Sequence, residues 1–233
     1  MMKSHNINQL TLGVSLKDNA TFENYFAGNN LHLVEELAKS SEGNGHRVIY
    51  LYGDQGRTHL LQSCCHLATN VARTSIYLPL SSLLDFSPAV LEGFEMLNLV
   101  CIDDVHLIAG NAEWEEALFY AFNRIYDAGG TLIITANLAP RAVGFNLPDL
   151  VSRFAWGIVF QLQPLSDQEK LAMLIMRAQR RGMTLSEEVA RFILTHCPRH
   201  MSTLSAALDV LDRTSLAAQR RLTIPFVKAV LEI

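Results

Sequence analysis

The chain has 233 residues, 49% of them hydrophobic, and a formal net charge of −4, enough chain for one α/β domain plus a small second one. No apolar run approaches the roughly 18 residues of a membrane span, and Met1-Met2-Lys3-Ser4-His5-Asn6 lacks the apolar stretch of a signal peptide, so the expected location is the cytoplasm. A protein that grips DNA alone carries a strong basic surplus, whereas residues 1–163 hold 9 Lys+Arg against 16 Asp+Glu and residues 164–233 hold 10 against 7.

Residues 1–20 are polar, show no helical period and are expected to form a flexible tail. From about Thr21 to Gln163, short apolar runs of strand length alternate with helical segments. The runs are Val48–Tyr52, Ser75–Leu78, Leu99–Asp103, Leu132–Thr135 and Gly157–Leu162; the helical segments include Thr58–Val71 and Ala112–Tyr126. Such alternation predicts a parallel sheet covered on both faces. At Pro164 the pattern changes. Ser166-Asp167-Gln168-Glu169 forms a capping box, followed by Leu171, Leu174, Ile175 and Ala178 at helical spacing. Further helices are predicted over 186–196, 202–219 and 225–232, the last with Pro225 in its first turn. Residues 164–233 are therefore expected to form an all-helical lid. Cys64, Cys65, Cys101 and Cys197 form no C-x-x-C pair and are expected to pack as small hydrophobes.

The strand Val48–Tyr52 runs into Gly53-Asp54-Gln55-Gly56-Arg57-Thr58-His59. Glycines let backbone N–H groups approach a phosphate, and a helix starting there aims its positive end at the anion. Arg57 adds charge, and the Thr58 hydroxyl suits Mg²⁺. Against the pattern G-x-x-x-x-G-K-[ST], arginine replaces lysine and Gly53 lies three residues before Gly56 instead of five. Unravelling of the strand at Tyr52 would restore length. About 45 residues on, Leu99-Val100-Cys101-Ile102-Asp103-Asp104 is an apolar strand ending in two acids. Asp103 is placed to approach Mg²⁺ and Asp104 to orient a water; a plain Asp-Asp turn is the other reading.

Asn137, after the strand Leu132–Thr135, is placed to touch a γ-phosphate or attacking water, or simply to make a turn. Arg153, just before the last strand, lies far from its own nucleotide site and suits a neighbour's nucleotide as an arginine finger; alone it also reads as half of a surface salt bridge. Arg199, at the start of a lid helix, is expected to meet a phosphate across the domain cleft.

In this order the motifs resemble the AAA+ module of the DnaA group. Gly56-Arg57-Thr58-His59-Leu60-Leu61 resembles its phosphate loop, Asp103 and Asp104 its Walker B acids, Asn137 its sensor 1, Leu150-Val151-Ser152-Arg153-Phe154 its finger motif and Arg199 its sensor 2. Within the group the resemblance narrows to the Hda family. It is carried by Gln163-Pro164-Leu165-Ser166-Asp167, by residues 211–228, and by a Gln9-Leu10-Thr11-Leu12-Gly13-Val14 segment similar to that family's sliding-clamp-binding peptide, with Gln9, Leu10, Leu12 and Val14 as the contact residues. The sequence reaches Ile233 just after the lid, so no dedicated DNA-binding domain is expected.

The resemblance implies an AAA+ P-loop α/β core (21–163) with a helical lid (164–233). It also implies docking on the β sliding clamp of DNA polymerase III and stimulation, through Arg153, of hydrolysis of the ATP bound to DnaA. ADP with Mg²⁺ is the implied ligand, and the two missing loop residues predict weak binding. Two other readings stand beside this one: an ATPase acting on its own nucleotide, and a clamp-tethered adaptor with an inactive nucleotide site. Homo-oligomerisation stays open.

Overall fold

The computed structural model describes residues 16–218 and 220–233. A parallel sheet is built from β1 (Val48–Tyr52), β2 (Ser75–Pro79), β3 (Leu99–Asp103), β4 (Thr131–Ala136) and β5 (Ile158–Gln161), in the order β2-β3-β4-β1-β5. Every residue of β3 and β4 is buried, as are the first four of β1. A strand covered on both faces has no polar side, which is why these segments read as unbroken apolar runs.

Alternate residues of each strand feed two cores. Val48, Tyr50, Val100, Ile102, Leu132 and Ile134 face α3 (Ala112–Asp127) and α4 (Pro148–Phe154), meeting Leu118, Phe122 and Phe154. Ile49, Leu51, Leu99, Cys101 and Ile133 face α1 (Leu31–Glu42) and α2 (Arg57–Asn70), meeting Leu37, Leu60, Leu61 and Cys64. Cys64, Cys65 and Cys101 are buried in this second core, and Cys197 is half-buried. Among the described residues, no group of three or more His, Cys, Asp or Glu side chains is placed to hold a metal ion.

Residues 16–20, assigned to the tail from sequence, are laid along α2. The Lys17 N–H donates to Gln62 Oε1 (3.0 Å), Ser63 Oγ donates to the Ala20 carbonyl (3.1 Å), and Ala20 is buried. Packing against the second core, which a polar pattern does not announce, holds them there. Gln9, Leu10, Leu12 and Val14 lie outside the described residues.

The helical lid consists of α5 (Asp167–Arg180), α6 (Glu187–His196), α7 (Met201–Ala218) and α8 (Ile224–Leu231) around their own apolar core. The capping box at α5 is fully formed: Ser166 Oγ accepts from the Glu169 N–H (3.3 Å), and Glu169 Oε2 accepts from the Ser166 N–H (2.8 Å). Where sheet passes into lid, buried Asn30 clamps Gln163 from both sides. Its Nδ2 donates to the Gln163 carbonyl (3.0 Å) and its Oδ1 accepts from the Gln163 N–H (2.8 Å). Among the described residues no helix is long and apolar enough to cross a membrane.

Candidate functional site

In an open parallel sheet, ligands bind beyond the carboxyl ends of the strands where the order reverses. Here that place is the end of β1, between β4 and β5. The strand does not unravel to lengthen the loop: Tyr52 stays paired with Ala136 and Gln161, and the Gly53 N–H still donates to the Ala136 carbonyl (3.3 Å). Gly53–Gly56 alone therefore joins β1 to α2. Both glycines are required by geometry. Gly53 has φ +141° and a Cβ there would lie 2.9 Å from Leu162 Cβ; Gly56 has φ +94° and a Cβ would lie 3.0 Å from the Tyr25 hydroxyl. Gly56 caps α2, whose first amides point out of the helix end.

Asp103, at the end of β3, is buried and accepts three side-chain hydroxyls. Thr58 Oγ1 and Tyr77 OH both donate to Oδ2 (2.7 Å each), and Thr135 Oγ1 donates to Oδ1. Burial, reinforced by the Asp103 charge, pushes the Tyr77 phenol well above its ordinary range, so it remains a donor. Asp104 adopts the left-handed backbone conformation (φ +61°), and its N–H donates to Thr135 Oγ1 (3.0 Å). This turns its carboxylate onto Arg57, with Arg57 Nη2 donating to Asp104 Oδ1 at 2.7 Å. Arg57 Nε and His106 Nδ1 are buried nearby without a hydrogen-bond partner among the described residues. Burial lowers the His106 pKa, opposed by the Asp104 charge.

A cavity of about 400 Å³ extends from this loop to the lid, lined by Tyr25, Gly53, Asp54, Gln55, Gly56, His59, Asn137, Gln163, Lys170, Arg177 and Met201 among others. The structure thus brings Gly53, Gly56 and Asn137 together at the cavity, with Arg57, Thr58, Asp103 and Asp104 joined behind it by hydrogen bonds. Arg199 is placed elsewhere. It lies outside the lining, is 61% exposed, and donates from Nη1 to Asp167 Oδ2 at 2.8 Å. The α7 end facing the loop is occupied by Gln55, whose Oε1 accepts from the Met201 N–H (3.0 Å) and whose Nε2 lies 3.2 Å from His200 Nδ1.

Arg153 is also outside the cavity lining, in the last turn of α4. It has no salt bridge among the described residues. Its guanidinium instead lies 4.8 Å from the ring centroid of Trp156 and 5.9 Å from that of Phe119, within cation–π range. Sequence reasoning missed Tyr77, Thr135, Gln55, Tyr25, Lys170 and Arg177. Thr135 carried a signal, as the one hydroxyl closing an otherwise apolar strand; the others become neighbours only through the fold.

Two family models match the chain: the bacterial DnaA ATPase domain over residues 88–161, and the Hda lid domain over residues 167–231. An uncharacterised protein of Haemophilus influenzae is 46% identical over 228 residues, covering 97% of this chain and 99% of its own length. Domain III of the Thermotoga maritima replication initiation protein DnaA superposes with a TM-score of 0.77 at 24% identity, covering 94% of this chain and 98% of that one. The chain belongs to the Hda-like, DnaA-homologous AAA+ proteins.

The Hda-like chain also shares its fold with AMPPCP-bound DnaA from Aquifex aeolicus, with a TM-score of 0.74, 21% identity, and coverage of 87% and 67%. It shares it as well with RuvB of Thermotoga maritima, with a TM-score of 0.67, 14% identity, and coverage of 88% and 68%.

Whether a nucleotide fits this Hda-like site follows from its donors. Two glycines open the backbone, α2 starts at Gly56 on the cavity wall, and Thr58 Oγ1 and Asp103 Oδ2, 2.7 Å apart, are oxygen ligands of the kind that would suit Mg²⁺. These residues fit the phosphates of a nucleotide.

Proposed function

We propose that this protein regulates the start of chromosome replication by acting on DnaA, with Arg153 supplied in trans to the ATP bound by DnaA. The observation that carries the reading is the setting of Arg153. It is a cation without a carboxylate partner among the described residues, braced by Trp156 and Phe119, and outside the cavity of its own chain. A guanidinium held on aromatic faces keeps its charge and its free N–H groups for a partner's phosphates. A trans arginine is worth roughly 10³–10⁵ in hydrolysis rate, because it stabilises charge on the phosphoryl group in flight.

In this reading the cavity holds ADP, Thr58 and Asp103 are the residues that would supply oxygen ligands to Mg²⁺, and the site serves to set the shape of the protein. The bound nucleotide supplies negative charge that ties loop to lid. Gly53 and Gly56 admit its phosphates, the amides of α2 bind them, Arg57 shares its charge between them and Asp104, and Asn137 lies at the cavity wall. Asp104 is engaged with Arg57, which argues against its positioning a water for turnover of the protein's own nucleotide.

Gln9, Leu10, Leu12 and Val14 are the proposed tether to the β sliding clamp. In an extended segment, Leu10, Leu12 and Val14 fall on one side, and burial of each is worth about 1.5–3 kcal/mol.

The test is DnaA-bound ATP hydrolysis in the presence of DNA-loaded clamp. Wild-type protein is expected to accelerate it, Arg153→Ala to abolish the acceleration while keeping the thermal midpoint, and Gln9→Ala/Leu12→Ala to lose clamp binding. Full stimulation by folded Arg153→Ala sinks the trans-arginine role. Steady ATP turnover by the protein alone would favour a self-acting ATPase.

A further inference from the structure

The lid presents two arginines that could complete the cavity, and they are treated oppositely by their surroundings. Arg199 is neutralised by Asp167, and the same carboxylate lies 3.8 Å from Lys170 Nζ. Gln55 already fills the place in front of α7 through its bonds to Met201 and His200.

Arg177, on α5, is half-buried and lines the cavity. Its Nη1 donates to Ser205 Oγ, and no carboxylate among the described residues forms a salt bridge with it. Asp209, an acid on α7, is engaged by Arg181 at 2.5 Å. Tyr25 and His59 line the same cavity as Arg177. The Tyr25 and His59 rings meet in a tilted arrangement with centroids 5.5 Å apart, and the Tyr25 hydroxyl borders the space over Gly56. Arg177 therefore shares a cavity wall with Gly56 and His59, where α2 starts. Burial lowers the Arg177 pKa, so a half-buried cation with no salt-bridge partner among the described residues is held at a free-energy cost. The lining adds a second cation, Lys170, against one acid, Asp54, which is exposed. The lid thus places two cations on a cavity whose other wall belongs to an acidic base domain, and the pair suits an anionic ligand.

We propose that Arg177, and not Arg199, is the lid cation that binds the phosphate of the nucleotide, so that the lid closes on its ligand through α5. This rests on the reading of the cavity as a nucleotide site. Arg177 then makes a charge-assisted hydrogen bond to a phosphate oxygen that bridges lid and base. Lys170 lends charge, and Gln55 sets the distance between loop and α7. The change in lid contact follows from the short loop: with Gly53–Gly56 as the whole connection, Gln55 reaches α7 directly and displaces the arginine at its start.

The experiment is calorimetric binding of ADP and of adenosine to the full chain, comparing wild type with Arg177→Ala, Arg177→Lys and Arg199→Ala, with circular dichroism and the thermal midpoint recorded for each. Loss of one charge-assisted bond predicts ADP affinity down about 10- to 100-fold for Arg177→Ala, with adenosine, which has no phosphate, little changed. Arg177→Lys is expected to recover part of the loss, which a purely structural role for the side chain would not yield, and it serves if Arg177→Ala is unstable. Arg199→Ala is expected to bind ADP as wild type does. ADP binding that is lost in Arg199→Ala and kept in Arg177→Ala overturns the assignment. Equal weakening of ADP and adenosine by Arg177→Ala also overturns it, since the residue would then act through packing. Failure of wild type to bind either ligand removes the nucleotide-site reading itself, and the assignment with it.

Discussion

Glu115 is the residue whose replacement tests the architecture behind Arg153. It is 1% exposed, on α3, and makes no salt bridge among the described residues; its carboxylate is satisfied by backbone. Oε1 accepts from the N–H groups of Gly110 (2.7 Å) and Asn146 (3.1 Å), and Oε2 accepts from Leu147 N–H (2.7 Å). Leu147 is the residue before α4, so Glu115 fixes both the turn entering α3 and the turn entering the helix that carries Arg153. Glu115→Ala strands three amides. At about 1–1.5 kcal/mol for each donor left without its acceptor, the loss comes to about 3–5 kcal/mol, at the upper end for a single substitution.

Glu115→Gln keeps an acceptor but loses the charge, and is expected to cost roughly half as much. For a chain of this size the alanine variant should melt about 6–20 °C lower, at about 2–4 °C per kcal/mol. Urea unfolding gives the free energy directly. Stimulation of DnaA by the still-folded fraction should fall as well, because α4 loses its anchor. An alanine variant within about 1 kcal/mol of wild type would refute the claim that these three bonds hold the entrance to α4.

Asp104→Asn releases Arg57 from its 2.7 Å ion pair; since such a partly exposed pair is worth about 1 kcal/mol or less, ADP affinity measured by calorimetry should rise by up to about fivefold, and a fall would show that Asp104 itself holds the ligand or its metal. Burial depresses the pKa of both His59 and His106 below the ordinary 6.5. The folded chain therefore binds these protons less readily than the unfolded one, so stability is full above about pH 6.5 and declines as the pH drops through the depressed values. Melting curves over that range should show the decline, and His59→Gln/His106→Gln should flatten it; an unchanged slope assigns the acid sensitivity to carboxylates. Gly53→Ala places a Cβ 2.9 Å from Leu162 Cβ at φ +141°, and should lower unfolding free energy by about 1–3 kcal/mol, read from the urea midpoint; a wild-type midpoint would mean the loop moves freely.

Much of the base domain was written in the order of residues. Five apolar runs between helical segments determined a parallel sheet, and the bounds of Val48–Tyr52 and Leu99–Asp103 hold without change, because a strand buried on both faces is apolar along its length, here up to the Asp103 carboxylate at its end, which three hydroxyls satisfy. Thr58 and Asp103, 45 residues apart, meet at 2.7 Å because each closes or follows a strand whose carboxyl end lies on the same edge of the sheet. The capping box of α5 was legible for a similar reason: its partners are three residues apart, within reach by local geometry alone. Other features left no such mark. α4 spans seven residues, too few to show a helical period, and α1 buries Glu36, Ser40 and Ser41 beside two of its three leucines, which blurs its apolar face.

The lid side of the cavity was decided by tertiary structure. Any of the lid's arginines looks equivalent in a solvated helical pattern. Which of them turns inward depends on the rotation and tilt with which α5 and α7 dock on the loop, and these follow from packing between residues far apart in the chain. Asn30 holds Gln163, Gln55 takes the start of α7, Asp167 pairs with Arg199 outside the cavity, and Arg177 is left on the cavity wall. The phase of a helix is set by its own sequence; the direction in which that phase points is set by what the helix packs against.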